Sequence, residues 1–420
     1  MRVLLLGGGG REHAIGWKLS QSPHLSMLLS APGNPGLAAL GPIVPGFDAE
    51  DPVAVADLAD REGADLVVVG PEAPLAAGVV DLLHGRKVPV FGPNRAAARL
   101  ESSKQFANAM MERAGVPTGA SASFTDETNA IAYLESAPGP YVVKADGLAA
   151  GKGVLVTDRI DEAATWVRRC LNGGFGDAGR TVVVEEFLDG EEVSVFALSD
   201  GERSLPLDPA RDYKRLLDGD LGPNTGGMGS YAPVDDLPHD LVTETLARVI
   251  DPVLGTLAAD GVTYQGFLYA GLMLTSAGIE VLEFNCRLGD PETQVVLPRL
   301  EDDLLILLSA GAAGDLPSDP LHWSDRAAVD VVLAAPGYPE SPKKGLPITG
   351  LAAANRRDDV LVFHAGTATA TDGEGLVTSG GRVLNIVGLG ATREEARAVA
   401  YDAAMTVDFP GKQMRMDIGT

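Results

Sequence analysis

Four short apolar runs in the first hundred residues, Val3–Leu6, Met27–Ser30, Leu66–Gly70 and Val88–Phe91, alternate with stretches of helical character at Glu12–Leu19, Val53–Glu62 and Leu75–Leu83. Runs so short and so uniformly apolar read as strands covered on both faces. Strands joined through helices must cross over and lie parallel. Every run ends in a loop rich in Gly, Pro or Asn: Gly7–Gly10, Ala31-Pro32-Gly33-Asn34, Gly70-Pro71-Glu72 and Gly92-Pro93-Asn94. An open parallel sheet binds ligands beyond the carboxyl ends of its strands, so these loops form one candidate site. The N-terminal glycines do not make a dinucleotide fingerprint, because Glu12 stands where GxGxxG needs its last glycine. No acidic residue closes the second strand either. What remains is a helix start whose N–H groups suit a phosphate.

The pattern changes after Ser102. A helix over Lys104–Ala114 leads to strands at Tyr141–Lys144, Val154–Thr157 and Thr181–Glu185, with a helix near Ile160–Cys170. A third region has strands at Val193–Leu198, Phe267–Leu274 and Ile279–Asn285 and helices near Leu241–Leu257 and Asp303–Ala310. Pro317–Pro320 reads as a linker, followed by strands at Ala327–Ala334 and Val383–Val387 and a helix at Arg393–Met405.

Within this frame, the segment VVKADGLAAGKGVLV sets Lys144 and Lys152 around small residues. It is not a Walker loop: Gly147 to Gly151 is one residue short, Gly153 replaces the Ser or Thr, and a strand follows. Strand, glycine loop, strand describes a flap that closes over a triphosphate while lysines neutralise it. VVVEEFL (Val182–Leu188) runs into a hinge able to offer main-chain groups to an adenine, with Glu191 or Glu192 near ribose hydroxyls. In GIEVLEFNCRLGDPETQ, period-two alternation puts Glu283 and Asn285 on one strand face, with Arg287 expected on the same face and Asp290 and Glu292 in the turn. Two oxygen ligands at that spacing suit Mg²⁺, which otherwise keeps phosphates and waters. An arginine beside them can hold a carboxylate in a bidentate fork. The competing reading is a plain Glu283–Arg287 salt bridge. ARDYKR (Ala210–Arg215) packs four charges together, and GPNTGGMGS (Gly222–Ser230) is a glycine-rich loop suited to closing on a small polar ligand.

The net charge of −25 lacks the clustered cations that nucleic acid requires. Two cysteines with no CxxC pair exclude a disulfide framework or zinc knuckle. No apolar stretch reaches the roughly 18 residues of a membrane helix. These features lead to the expectation of a cytoplasmic protein with small-molecule partners, no nucleic acid and no membrane.

Taken in order, GGGGREH, PGNPG, VGPEAPL, KADGLAAGKGV, EEFLDGEE, DYKR, GPNTGGMG, GFLYAGLM, EFNCRLGDPETQ, FHAGT and GGRVL resemble the glycinamide ribonucleotide synthetases of the ATP-grasp superfamily. The likeness runs over almost the whole chain. It implies an α/β ATP-grasp fold with a Rossmann-like acceptor-binding domain (1–101), a lid with its linking helix (102–191), a central catalytic subdomain (192–320) and a small α+β C-terminal domain (321–420). The implied activity joins glycine to 5-phospho-β-D-ribosylamine with ATP, through a glycyl phosphate, in a monomer.

The same resemblance implies residue roles. Glu283 and Asn285 match the ligands of Mg²⁺ or Mn²⁺. Lys104, Lys144, Gly151, Lys152, Gly153, the hinge Glu185, Glu186, Phe187 and Leu188, and Glu192 match ATP contacts. Asp212 and Arg287 match the glycine side. Gly9, Gly10, Asn34 and Glu72 match the phosphoribosylamine side, with Lys214 reaching toward it. Asn224, Gly226, Gly289 and Asp290 complete the substrate set. Many ATP-grasp enzymes have acidic ligands on two strands; the neighbouring GFLYAGLM has none, so the resemblance gives less support to two tightly held metals and leaves their number open. The rivals are an ATP-grasp carboxylase of a purine intermediate, a nicotinamide-dependent dehydrogenase and a non-catalytic nucleotide sensor.

Overall fold

The computed structural model describes residues 1–149 and 152–420. Its first sheet is parallel, with Arg2–Gly7 flanked by Met27–Pro32 on one side and by Leu66–Val69 and then Val90–Phe91 on the other. Local signals fix the crossover helices. Asp51 caps Pro52–Glu62 by accepting from the Val53 and Ala54 amides, and Gly63 ends it at φ +61°, the left-handed stop that glycine makes without strain. Ser103 caps Lys104–Ala114 in the same way, through the Phe106 amide.

A separate antiparallel sheet orders its strands Ser121–Phe124, Val182–Glu186, Tyr141–Ala145 and Val154–Thr157. The helices Glu127–Ser136 and Ile160–Arg169 cover one face, and Ala130, Leu134, Val143, Ala163, Val167 and Val184 form a small core of its own. This lid therefore carries its hydrophobic stabilisation apart from the main body.

The main body is one eight-stranded sheet. In order, its strands are Gly278–Asn285, Gln265–Thr275, Glu191–Asp200, Ser204–Asp212, Gly229–Ala232, Ala327–Ala334, Arg382–Gly390 and Val360–His364. Alternation feeds both faces: Val193, Val195 and Ala197 enter one core, Phe196 and Leu198 the other. The last strands expected of a C-terminal domain thus extend the central sheet, because Gly229–Ala232 pairs antiparallel with Ala327–Ala334.

Two local expectations need correction. Leu241–Leu257 is not one regular helix: Leu241–Thr245 and Asp251–Ala259 are joined by a wide turn at Leu246–Ile250. Pro252 has no N–H to continue the ladder there. Ser204–Asp212 is a strand that the sequence pattern hid, since Pro206, Asp208 and Pro209 interrupt its alternation. No helix among the described residues is long and apolar enough to cross a membrane.

Candidate active-site cleft

Register builds the site on one face of the large sheet. Glu283 lies opposite Gly271, which lies opposite Ser194; Asn285 lies opposite Tyr269, which lies opposite Phe196. Cross-strand partners share a face, so Glu283 and Asn285 do project together as alternation required. Gly271 keeps this row open, because a Cβ there would lie 3.4 Å from Glu283 Cγ. Asp212 ends the neighbouring strand on the same face as Ala210, the partner of Ser194.

Three lysines surround Glu283. Lys144, from the lid sheet, is buried and sits 2.6 Å from Glu185, with its Nζ donating to the Leu282 carbonyl at 3.3 Å. Lys214 Nζ lies 3.9 Å from Glu283 and bonds directly to Glu192. Lys104 donates to the Asp146 carbonyl at 3.4 Å. Burial disfavours the Glu283 carboxylate, but Lys214, Lys144, Lys104 and Arg287 together hold its pKa below the usual value. Burial pulls Lys104 down despite Glu283. Lys144 is raised, with Glu185 and Glu283 outweighing its desolvation. A cluster this rich in ammonium groups, open at a strand end, is suited to phosphate oxygens.

Asp212 experiences the opposite field. Burial, with Glu292, Glu192 and Glu283 nearby, pushes its pKa well up against the pull of Lys214. A carboxyl group so placed gains from any cation brought against it. Glu292 is raised for the same reason, and it accepts from Ser194 Oγ at 3.2 Å, which also meets Tyr269 OH at 3.0 Å.

Arg287 departs from the expected arrangement. The strand ends at Asn285, and the guanidinium turns to the N-terminal domain, 2.8 Å from Glu101 and 3.3 Å from Glu72. It forms no salt bridge with Glu283; the competing structural pairing is replaced by two carboxylates across the domain boundary. They outweigh its burial and raise its pKa. Glu72 is held down to about 2 by Arg287 and Arg11, against its own burial.

The glycine-rich loop is fixed around Lys214. Thr225 donates twice to the Lys214 carbonyl, at 2.7 Å from its amide and 2.9 Å from its hydroxyl, and Met228 N–H bonds to Tyr213 at 2.8 Å. Asn224 ends the short ribbon opposite Arg215. Gly226 is gripped from the C-terminal part: its amide donates to Tyr338 OH at 2.9 Å, and its carbonyl accepts from Arg382. Arg382 also donates to the Asp290 carbonyl at 2.6 Å and lies 3.3 Å from its carboxylate. Gly289 turns tightly over Glu292, leaving no room for a side chain.

At the N-terminal glycines the main chain is partly committed. Gly9 N–H donates to Glu12 at 2.7 Å, and a Cβ on Gly10 would fall 2.3 Å from Asn385 Nδ2. Asn34 is buried, donating to the Gly8 carbonyl at 3.0 Å and the His364 carbonyl at 2.8 Å and accepting from Leu37 N–H at 2.9 Å. Its side chain braces the loop from within, beside Gly8 and Gly9.

In the lid, Phe187 and Leu188 follow the strand end at Glu186 and make no main-chain hydrogen bond among the described residues. Glu186 accepts from the Ala120 amide at 3.0 Å. Lys152 is exposed, Gly153 is packed against Ala149, and Gly151 lies outside the described residues. Sequence reasoning passed over Glu101, Arg11, Ser194, Tyr269 and Arg382. Arg11, Tyr269 and Arg382 had a signal, their places within GGGGREH, GFLYAGLM and GGRVL; Glu101 and Ser194 had none.

Among the described residues no three His, Cys, Asp or Glu side chains are placed to hold a metal. One carboxylate and one amide oxygen at a strand end nevertheless fit Mg²⁺, which completes its shell with phosphate and water.

Family models match the chain in three consecutive pieces: the N domain of phosphoribosylglycinamide synthetase over residues 1–101, its ATP-grasp (A) domain over 102–293 and its C domain over 328–420. A protein of Mesorhizobium japonicum named phosphoribosylamine–glycine ligase is 48% identical over 100% of this chain and 98% of its own length. One of Leifsonia xyli subsp. xyli with the same name is 50% identical over 100% and 99%. The crystal structure of phosphoribosylamine–glycine ligase from Thermotoga maritima aligns with TM-score 0.86 and 38% identity, covering 99% of this chain and 100% of that one. The biotin carboxylase domain of a Hydrogenobacter thermophilus 2-oxoglutarate carboxylase shares the fold, with TM-score 0.72 at 16% identity over 98% and 91%.

Proposed function

The chain belongs to the phosphoribosylglycinamide synthetase family, and from that premise we propose how its cleft divides the labour of the reaction. The protein uses ATP to join glycine to 5-phospho-β-D-ribosylamine, giving glycinamide ribonucleotide, ADP and phosphate. The observation that carries the assignment of the reacting centre is the convergence of Lys104, Lys144 and Lys214 on Glu283.

Glycine's carboxylate is a poor electrophile. In-line transfer of the γ-phosphoryl group from ATP makes it a glycyl phosphate, with ADP leaving; the amine of phosphoribosylamine then attacks the acyl carbon and phosphate departs. The triphosphate lies between the Lys144–Lys152 flap and the strand bearing Glu283, and the lysines neutralise charge on the transferring group. Lys104, the glycines of the flap and Glu192 line this nucleotide side. The adenine stands against the 185–188 hinge, a placement supported by the unpaired main chain of Phe187 and Leu188. Glu283 and Asn285 would hold Mg²⁺ or Mn²⁺, which supplies charge neutralisation to phosphate oxygens.

Arg287 receives the glycine carboxylate, and Asp212 receives its ammonium, keeping that amine protonated so that it does not compete for the acyl phosphate. The raised pKa of Asp212 supports this, since an incoming cation relieves it. Gly9, Gly10, Asn34 and Glu72 face the acceptor, and the Asn224–Gly226 loop and the Gly289–Asp290 turn close over the small substrates. Closure of the lid keeps water from the acyl phosphate. The protein acts as a monomer in the cytoplasm; the exposed large apolar side chains Val53, Ile160, Ile306 and Met405 fall on four separate helices, and Leu217 and Leu221 pair with each other across one short ribbon.

ADP release measured with glycine or bicarbonate omitted in turn tests the substrate: dependence on bicarbonate rather than glycine rejects the reading. Glycine labelled with ¹⁸O in its carboxylate should pass one label to phosphate, and unlabelled phosphate rejects the acyl phosphate.

A further inference from the structure

A continuous chain of charged contacts joins the N-terminal glycine loop to Arg287. Gly9 N–H donates to Glu12 Oε2 at 2.7 Å, and Arg11 Nε bonds to Glu12 Oε1 at 2.6 Å. Arg11 then lies 3.9 Å from Glu72 Oε2, the oxygen that Arg287 Nε meets at 3.3 Å. Glu101 closes the far end, 2.8 Å from Arg287 and accepting from Cys286 N–H at 2.7 Å. Both guanidiniums also donate to a single carbonyl, that of Leu288, each at 3.3 Å.

Two like charges meeting at one carbonyl repel, and the three carboxylates around them make the arrangement stable. Arg11, Glu12 and Glu101 are nearly excluded from solvent, so their interactions are little screened. Glu101 is pushed up to about 7 by burial, with Arg287 opposing; the frame sits close to charge balance. An arginine has five N–H donors. Glu72, Glu101 and the Leu288 carbonyl engage three of those on Arg287, which leaves one on each terminal nitrogen for a substrate carboxylate.

We infer that this chain couples the two substrate ends of the cleft: an acceptor seated against Gly9 and Glu72 and a glycine carboxylate on Arg287 favour each other's binding, with Arg11 and Glu101 as positioning residues. The inference rests on the assignment of Gly9 and Glu72 to the acceptor and of Arg287 to glycine. An acceptor that draws on Glu72 changes the pull of that carboxylate on Arg287, and therefore the direction in which its free donors point. Thermodynamic linkage makes the effect reciprocal.

The test is calorimetric titration of the full-length enzyme with glycine, in the presence and absence of saturating ribose 5-phosphate as an unreactive stand-in for the acceptor. Ribose 5-phosphate should tighten glycine binding roughly fivefold or more. The Arg11→Met variant should still bind both, with that factor lowered but not abolished, because Glu72 meets Arg287 directly. Glu101→Gln, which keeps an oxygen for Cys286 N–H, should raise the glycine KM while leaving the ATP KM and the melting temperature in place. A merely structural role would move the melting temperature instead. If ribose 5-phosphate does not bind, the acceptor assignment falls and takes the coupling with it. If it binds and the factor is one in the wild type, the coupling alone falls; if the factor is undiminished in Arg11→Met, Arg11 has no part in it.

Discussion

Lowering the pH from 7 to 5 should loosen the seam between the N-terminal helix and the C-terminal strands. His13 and His364 meet there with ring centroids 5.5 Å apart, and His364 N–H donates to His13 Nδ1 at 2.7 Å. Burial, with His364 adding to it, holds the His13 pKa down to about 3, and burial holds His364 down to about 4, against an ordinary value of 6.5. Protonating His13 at Nδ1 would set a donor against the His364 amide. Because both folded values are depressed, the unfolded chain takes up protons first. The stabilisation is complete above pH 6.5 and is lost as the pH falls toward 4. Each pH unit per group is worth about 1.36 kcal/mol, so at pH 5 each imidazole costs about 2 kcal/mol. Glu101 runs the other way: its value of about 7 against 4.5 adds stability as the pH falls through that window, about 2 kcal/mol between pH 7 and 5. The two imidazoles together outweigh it, and the difference from His13→Asn isolates one of them. Asparagine offers an oxygen to the His364 amide and does not titrate. Trp17 lies 5.8 Å from Phe363 in an edge contact, and reports this seam once Trp166 and Trp323 are replaced by Phe. Urea unfolding read by Trp17 should show the variant gaining about 2 kcal/mol on the wild type between pH 7 and 5. A difference that stays constant across that range refutes the reasoning.

Arg287→Ala should raise the glycine KM roughly 10- to 100-fold through loss of charge-assisted bonds, far more than the ATP KM; equal effects remove Arg287 from the glycine site. Lys144→Met strands Glu185 without its 2.6 Å partner, and should cost the lid about 3–5 kcal/mol and kcat about 100-fold. Exposed Lys152, replaced in the same way, should leave the melting temperature unchanged, so a drop with Lys152→Met contradicts the placement. Gly10→Ala would drive a methyl to 2.3 Å from Asn385 and 2.7 Å from Gln294, so calorimetry should find about 1–3 kcal/mol of destabilisation.

Much of this was legible because local rules acted alone. Ala327–Ala334 is apolar but for one residue and buried throughout, and the alternation placing Glu283 beside Asn285 needs no partner to be read. What stayed hidden depends on distant pairing. Glu101 sits in a four-residue helix with nothing to mark it, and acquires its role only by meeting a residue 185 positions later. Alternation places Arg287 on the face of Glu283 only if the strand continues; it ends at Asn285, and the guanidinium turns instead to Glu72 and Glu101. The backbone that Asn34 braces, at Gly8 and His364, is likewise known only from the fold.

The unbroken eight-stranded sheet has a bearing on how such a chain can be recombined. The ladder between Gly229–Ala232 and Ala327–Ala334 means that an exchange of the last hundred residues with a relative replaces three of the eight strands, not an appendage. Main-chain pairing is indifferent to side-chain identity, so a chimera keeps that ladder automatically. Its success turns on the two buried surfaces either side of the join, and above all on whether the donor brings an arginine to position 382 and an asparagine to position 385.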